Sequence, residues 1–144
     1  MSHWSKSAAQ RFIEQRSTKS TEAAKVLHDQ EMIQLKAPEL WDQLSEEFSR
    51  KCKEFNSEPE VGNLLSFDGS DTRELKIARS DTGATLIVAF LPFYTVTVQG
   101  LKDRGEFKFQ VVPGTSEVGL FNSKEQLLAP DVIATVSLDM FLTD

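Results

Sequence analysis

Few residues in this sequence are of the types that do nucleophilic or metal chemistry. The 144 residues include one cysteine, Cys52, and two histidines, His3 and His28. Because structural zinc sites are built from four Cys or His ligands, no conventional zinc site can be assembled from sequence-local ligands. Cys52 falls on the apolar stripe of a predicted helix, where a thiol is an inert small hydrophobe. The sequence therefore predicts neither a metal site nor a cysteine nucleophile.

The segment FDGSDT, residues 67–72, resembles a calcium loop in its oxygen-bearing side chains. Asp68, Ser70 and Asp71 surround Gly69, but the twelve-residue spacing fails and no bidentate glutamate closes the loop. Asp-Gly and Ser-Asp are also favoured in turns for backbone reasons. We interpret the segment as a hairpin loop. Since phosphate-binding and hydrolase motifs are also missing, we predict no catalytic residue and no cofactor.

Charge and composition argue against nucleic-acid and membrane partners. The formal net charge is −6, which disfavours binding to phosphate backbones and anionic lipids. Phe107 and Phe109 flank Lys108 as stacking aromatics would, yet their alternation fits the core face of a strand better. The longest uncharged apolar run, residues 86–94, is far too short to span a membrane as a helix. A cytoplasmic location is expected, because no secretory signal is visible and cysteine is scarce.

The most apolar stretch is ATLIVAFLPFYTVTVQG, residues 84–100. Its positions alternate between a class that is apolar throughout and a class that turns polar at Thr95, which is typical of a strand. A tight hairpin at Leu91 and Pro92 is disfavoured, because proline forbids the positive φ that such turns need. The pattern predicts one long strand over residues 86–98, bent at Pro92. The apolar class consists of Leu86, Val88, Phe90, Pro92, Tyr94, Val96 and Val98.

The remaining elements give an α+β domain with N-terminal helices, a five-stranded antiparallel meander with one long bent strand, and a C-terminal helix. Helices are predicted from Ser20 or Thr21, from Pro38 to about Asn56, and from Pro130. Whether Ala37 and Pro38 break the chain between the first two helices or only kink one helix stays open. The middle helix carries an apolar stripe formed by Leu40, Trp41, Leu44, Phe48, Cys52 and Phe55, and the last one by Ile133, Val136, Met140 and Phe141. Strands are predicted over residues 61–67, 74–80, 86–98, 106–112 and 117–121.

The first nineteen residues differ in character from the rest. They carry a formal charge of +3, whereas the remaining residues carry −9. We predict a basic N-terminal arm or short helix over residues 1–19 and a single α+β domain over residues 20–144. Ala8, Ala9, Phe12 and Ile13 are consistent with a short amphipathic helix in this arm.

The apolar second face of the long strand suggests an interaction surface formed by Ile87, Leu91 and Phe93. The leading hypothesis is a non-catalytic protein-interaction or oligomerisation module, whose partner is a second copy or another protein. A small apolar-ligand-binding cup, formed by a curved antiparallel sheet and a helix, is the alternative. An enzyme with carboxylate chemistry ranks third, because no spacing picks out an acid–base pair.

Overall fold

The computed structural model describes residues 3–143, with the side chains of residues 5–16 and 21–143. It is an α+β structure in which a long helix precedes an antiparallel sheet of seven strands and a second helix follows it. The sheet is a plain meander, since every strand pairs only with its neighbours in sequence. The elements are α1 (His3–Asn56), β1 (Leu65–Asp71), β2 (Glu74–Arg79), β3 (Thr85–Leu91), β4 (Thr95–Gln99), β5 (Gly105–Val111), β6 (Val118–Asn122), β7 (Leu127–Leu128) and α2 (Pro130–Thr143).

Helix α1 is one element of 54 residues where separate helices were predicted. It runs through Ser20 and through Pro38 without a break. A proline inside a helix loses one backbone hydrogen bond, but Ala37 and Trp41 on either side of it are buried in the core and hold the helix in place. The predicted division between residues 19 and 20 falls inside α1, and it stays a prediction.

The predicted long strand is wrong, because the chain folds back into the β3–β4 hairpin. Leu91 pairs directly with Thr95, so Pro92, Phe93 and Tyr94 form a three-residue connection. Phe93 has a φ of 64° and Tyr94 a φ of 55°, two consecutive positive values of the kind that a type I′ turn requires. Pro92 itself does not adopt a positive φ. The two aromatic residues after it adopt the turn conformation that glycine or asparagine usually supplies.

The alternation pattern could not distinguish a hairpin from a long strand here. Because Leu91 pairs with Thr95, partners across this hairpin are always both odd-numbered or both even-numbered. Residues directly opposite each other point to the same face, so Val88 and Val98 both enter the core. The even-numbered class therefore lines one face, whether the segment is straight or folded. The other strand missing from the predicted five is β7, which has only two residues.

Both helices pack on the same face of the sheet and share one hydrophobic core. From α1 the core takes Trp41, Leu44, Phe48 and Cys52, as the sequence predicted. Burying this many large side chains on one face supplies most of the driving force for folding. The strand residues that belong to this core are Leu65, Leu75, Ile77, Leu86, Val88, Phe90, Val96, Val98, Phe109 and Leu120.

The opposite face of the sheet is less apolar than expected from the predicted long strand, whose first half is apolar on both faces. One row across it reads Glu74, Ala89, Thr97 and Glu106 in register, with small side chains between charged ones. Ala89 and Thr97 are only 9% and 1% exposed, so these small residues contribute little surface. This face therefore lacks the continuous apolar patch that the long strand implied.

Helix α2 begins at Pro130 as predicted and buries Ile133 and Phe141. The predicted core positions Val136 and Met140 are wrong, because Val136 is 50% exposed and Met140 is only partly covered. The face turned to the core is rotated toward three other buried residues, Ala134, Ser137 and Leu138.

Two polar contacts fix the end of α1 to the rest of the domain. The Asn56 side-chain amide donates to the Leu65 carbonyl at 2.7 Å and accepts from the Leu65 amide at 3.0 Å, as a paired strand residue would. One turn earlier, Lys51 Nζ lies 2.6 Å from Asp131 Oδ1 in the first turn of α2. The end of α1 is thus held against both β1 and α2.

The Lys51–Asp131 contact makes part of the stability dependent on pH. The hydrogen bond from Lys51 and its positive charge lower the pKa of Asp131 below its ordinary value. A carboxyl group whose pKa is lower in the folded than in the unfolded protein stabilises the folded state at pH values above the unfolded pKa. This stabilisation is lost as the pH falls through the folded pKa. We expect Asp131→Asn to be less stable than wild type at pH 7 and to match it near pH 2. Urea unfolding of both proteins across this range measures the difference, and a gap that persists at pH 2 would contradict it.

Candidate functional site

The first half of α1 leaves the sheet and extends into solvent. A helix of 54 residues is about 81 Å long, whereas the core-contacting part, residues 33–56, covers only about 36 Å. No described side chain before Ala37 is buried. We call residues 5–32 the helical extension. Its large exposed apolar side chains are Phe12 (63% exposed), Ile13 (62%), Val26 (56%) and Leu27 (58%).

The apolar stripe of the helical extension continues the face that packs on the sheet. Leu27 lies about four helical turns before Trp41, within about 40° of it around the axis. Phe12 lies about eight turns before Trp41, within about 20°. The stripe that the sheet covers from Ala37 onward therefore has no cover within the described chain over residues 5–32.

Charge divides the helical extension into two halves. The first twenty residues of the chain carry a formal +3. Residues 21–34 carry Glu22, Asp29 and Glu31 against Lys25 alone, a formal −2. The helix is thus positive toward its N-terminal end and negative where it approaches the sheet.

A cavity of about 730 Å³ lies where α1 meets the sheet, and we call it the junction cavity. Trp41 closes its floor, with its Nε1 donating to the Thr72 carbonyl at 2.8 Å and its ring edge-on to Phe90 at 5.6 Å. The Arg73 guanidinium stands 5.1 Å from the centre of the Phe90 ring. The lining residues are Gln34, Pro38, Trp41, Asp42, Thr72, Arg73, Phe90, Leu91, Pro92, Phe93 and Tyr94.

The turn between β3 and β4 forms the rim of the junction cavity. Phe93 is 94% exposed at the tip, an unusual position for a large aromatic side chain. A left-handed backbone costs a non-glycine residue about 1–2 kcal/mol, and both Phe93 and Tyr94 adopt it. The cavity rim is therefore held by a strained turn with an aromatic side chain in water.

Two of the three residues predicted as an interaction surface come together at this cavity. Leu91 and Phe93 line it, whereas Ile87 lies four residues away on β3, half-buried between Lys76 and Gln99. The interaction surface itself stays a prediction. Phe12 and Ile13 were predicted only as part of a short terminal helix. Their spacing of fourteen residues from Val26 and Leu27, about four helical turns, was the signal for a longer stripe.

The described side chains offer little for covalent or metal chemistry. Burial raises the pKa of the Cys52 thiol to about 11, which keeps it protonated and unreactive at neutral pH. Among the side chains of residues 5–16 and 21–143, no three of the types His, Cys, Asp or Glu come close enough to share a metal ion. No helix in the same range is sufficiently long and apolar to cross a bilayer.

Comparison with protein-family models, with curated proteins and with solved structures gives no match. The function is therefore inferred from the geometry of the helical extension and the junction cavity.

Proposed function

We propose that this protein is a homo-oligomerisation module that associates through the helical extension. The observation that supports this proposal is the uncovered apolar stripe, with four large side chains each more than half exposed on one side of a helix. These side chains form two clusters, Phe12 with Ile13 and Val26 with Leu27, and clustered exposed apolar residues mark an interaction site more often than scattered ones do.

Helix energetics support a partner for the extension. In proteins most helical stability comes from packing of an amphipathic face, and an isolated helix in water is only marginally stable. The helical extension also contains Ser17, Thr18, Ser20 and Thr21 in its middle, four residues of modest helix propensity. A second helix covering Ile13 and Leu27 would supply the missing packing.

Substitution of Leu27 tests the proposal. We expect wild type to have twice the 16.2 kDa chain mass at micromolar concentration by sedimentation velocity. Leu27→Asp is expected to weaken association about 100-fold or more, because each symmetric copy loses a buried leucine worth about 1.5–3 kcal/mol.

Thr21→Asp is the matched control, since it adds the same charge on the far side of the same helix. Residue 21 lies about 160° from Trp41 around the axis, and its side chain is exposed. We expect this variant to associate as wild type does. A wild-type protein that stays at 16.2 kDa at all concentrations, or an association insensitive to Leu27→Asp, would refute the proposed function.

The junction cavity supports a second candidate, the binding of a small apolar ligand. Its volume of about 730 Å³ lies within the range of about 300–1,000 Å³ typical of ligand sites, and four of its lining residues are aromatic: Trp41, Phe90, Phe93 and Tyr94. We expect the dye 1-anilinonaphthalene-8-sulfonate to bind wild type with enhanced fluorescence and Leu91→Glu weakly. Equal dye fluorescence of the two proteins would count against a ligand site here.

A further inference from the structure

We propose that two copies pair as an antiparallel helical dimer through residues 5–32, with the two-fold axis near residue 18. This proposal rests on the proposed function and adds the identity, direction and register of the partner. Three independent features of the described chain lead to it: the position of the sheet, the distribution of charge, and the sizes of the residues along the stripe.

The position of the sheet excludes a parallel pair. The uncovered stripe of the helical extension and the sheet-covered stripe that includes Ala37 and Phe48 lie on the same side of α1. In a parallel pair, the partner helix would lie on this side and continue into the space that the sheet occupies beyond residue 37. In an antiparallel pair, the partner chain runs away from that sheet. The two sheets then lie at opposite ends, about 57 Å apart along the axis.

The distribution of charge favours the same direction. An antiparallel pair places the first half of one extension, which is basic, against the acidic residues 21–34 of the other. A parallel pair would place the basic half beside the basic half and the acidic half beside the acidic half. Complementary charge sets partner orientation in paired helices, and like-charge contact destabilises the wrong arrangement.

The residue sizes set the register. A pair centred near residue 18 places Ile13 opposite Ala23 of the partner subunit and Leu27 opposite Ala9 of the partner subunit. In each layer a large side chain meets a small one, so the helices can approach closely and fill the space between them. Phe12 then flanks the seam near Val26 of the partner subunit. The large exposed apolar residues of the extension all gain cover in this arrangement.

Cross-linking between single cysteines tests direction and register together. In a Cys52→Ala background, Ala8→Cys and Gln30→Cys are prepared as two full-length proteins with different affinity tags. Residues 8 and 30 lie about 60° and 20° from Trp41 around the axis, on the side of the stripe. In the proposed dimer, residue 8 of one copy lies beside residue 30 of the other, whereas the two copies of residue 8 are about 30 Å apart along the axis. With a short bismaleimide, we expect covalent dimers in the mixture of the two proteins and at least tenfold fewer with Ala8→Cys alone.

Each result separates this proposal from the more general one. Dimers of Ala8→Cys alone would indicate a parallel pair and overturn the antiparallel arrangement while leaving oligomerisation intact. A sedimenting dimer that no combination cross-links would overturn the register. A monomer would overturn the proposed function itself. If Cys52→Ala fails to fold by circular dichroism, native Cys52 is retained, because at 2% exposure it is shielded from the reagent.

Discussion

Phe48→Ala is expected to destabilise the domain by about 3–5 kcal/mol, the range for removing a phenylalanine from a rigid core. Phe48 is 0% exposed on the side of α1 that faces the sheet. It lies in the middle of the apolar stripe, between Leu44 and Cys52, and all three belong to the shared core. Truncation removes the transfer free energy of the ring and leaves a cavity that the surrounding α2 and sheet residues can fill only in part. Urea unfolding followed by circular dichroism at 222 nm measures the change.

Phe93→Ala is the matched control, because the same ring is removed from the exposed turn. With Phe93 at 94% exposure, we expect a change of less than about 0.5 kcal/mol. The contrast depends on burial alone, since the residue type and the substitution are the same. If both variants lost similar stability, the assignment of α1 to the core face of the sheet would be wrong.

Gly100→Ala is expected to be the most damaging single-methyl change in the chain, costing on the order of 3 kcal/mol or more. Gly100 follows β4 with a φ of 101°, which side-chain-bearing residues rarely adopt. A Cβ at this position would also lie 2.2 Å from the backbone oxygen of Thr85 at the start of β3. Because that oxygen belongs to the backbone, relief requires the β3–β4 pair to move apart.

Gly114→Ala separates the two causes of this effect. Gly114 has a φ of 77°, but a Cβ there meets no atom within 4 Å. We expect it to cost about 1 kcal/mol, the backbone term alone. Thermal unfolding of the two variants gives the difference, which reports the steric contact with Thr85. Equal losses in the two variants would show that the close approach of Gly100 to β3 is not present in solution.

The sequence predicted the fold correctly where the spacing of apolar residues matches the period of the helix or strand that buries them. The stripe through Trp41, Leu44 and Phe48 and the start of α2 at Pro130 were predicted and are confirmed. The alternation through residues 86–98 identified the buried face correctly. The same alternation did not show that the chain turns back at residues 92–94. A connection of three residues leaves the even-numbered residues of both strands on the same face, as in one long strand.

Other features could not be predicted because tertiary context overrides local signals. Pro38 predicts the start of a helix, yet α1 continues through it because residues on both sides of the proline pack in the core. The turn at Phe93 and Tyr94 uses residues that seldom adopt positive φ, so no local signal marks it. Strand β7 has only two residues, which is too short for an alternating pattern to be recognised in the sequence. At the candidate site, Leu91 and Phe93 were predicted on one face of a strand. They meet instead at the junction cavity, through a turn that the sequence disfavoured.

The two outermost strands of the meander limit how this protein can aggregate. An open sheet edge is a template for edge-to-edge polymerisation, and irregular, charged or very short outer strands prevent it. On one side, β1 has an irregularity between Asp68 and Asp71, two acidic residues that repel a second acidic strand. On the other side, β7 offers a template of only two residues. Growth of fibrils by strand addition is therefore disfavoured at both outer strands of the sheet.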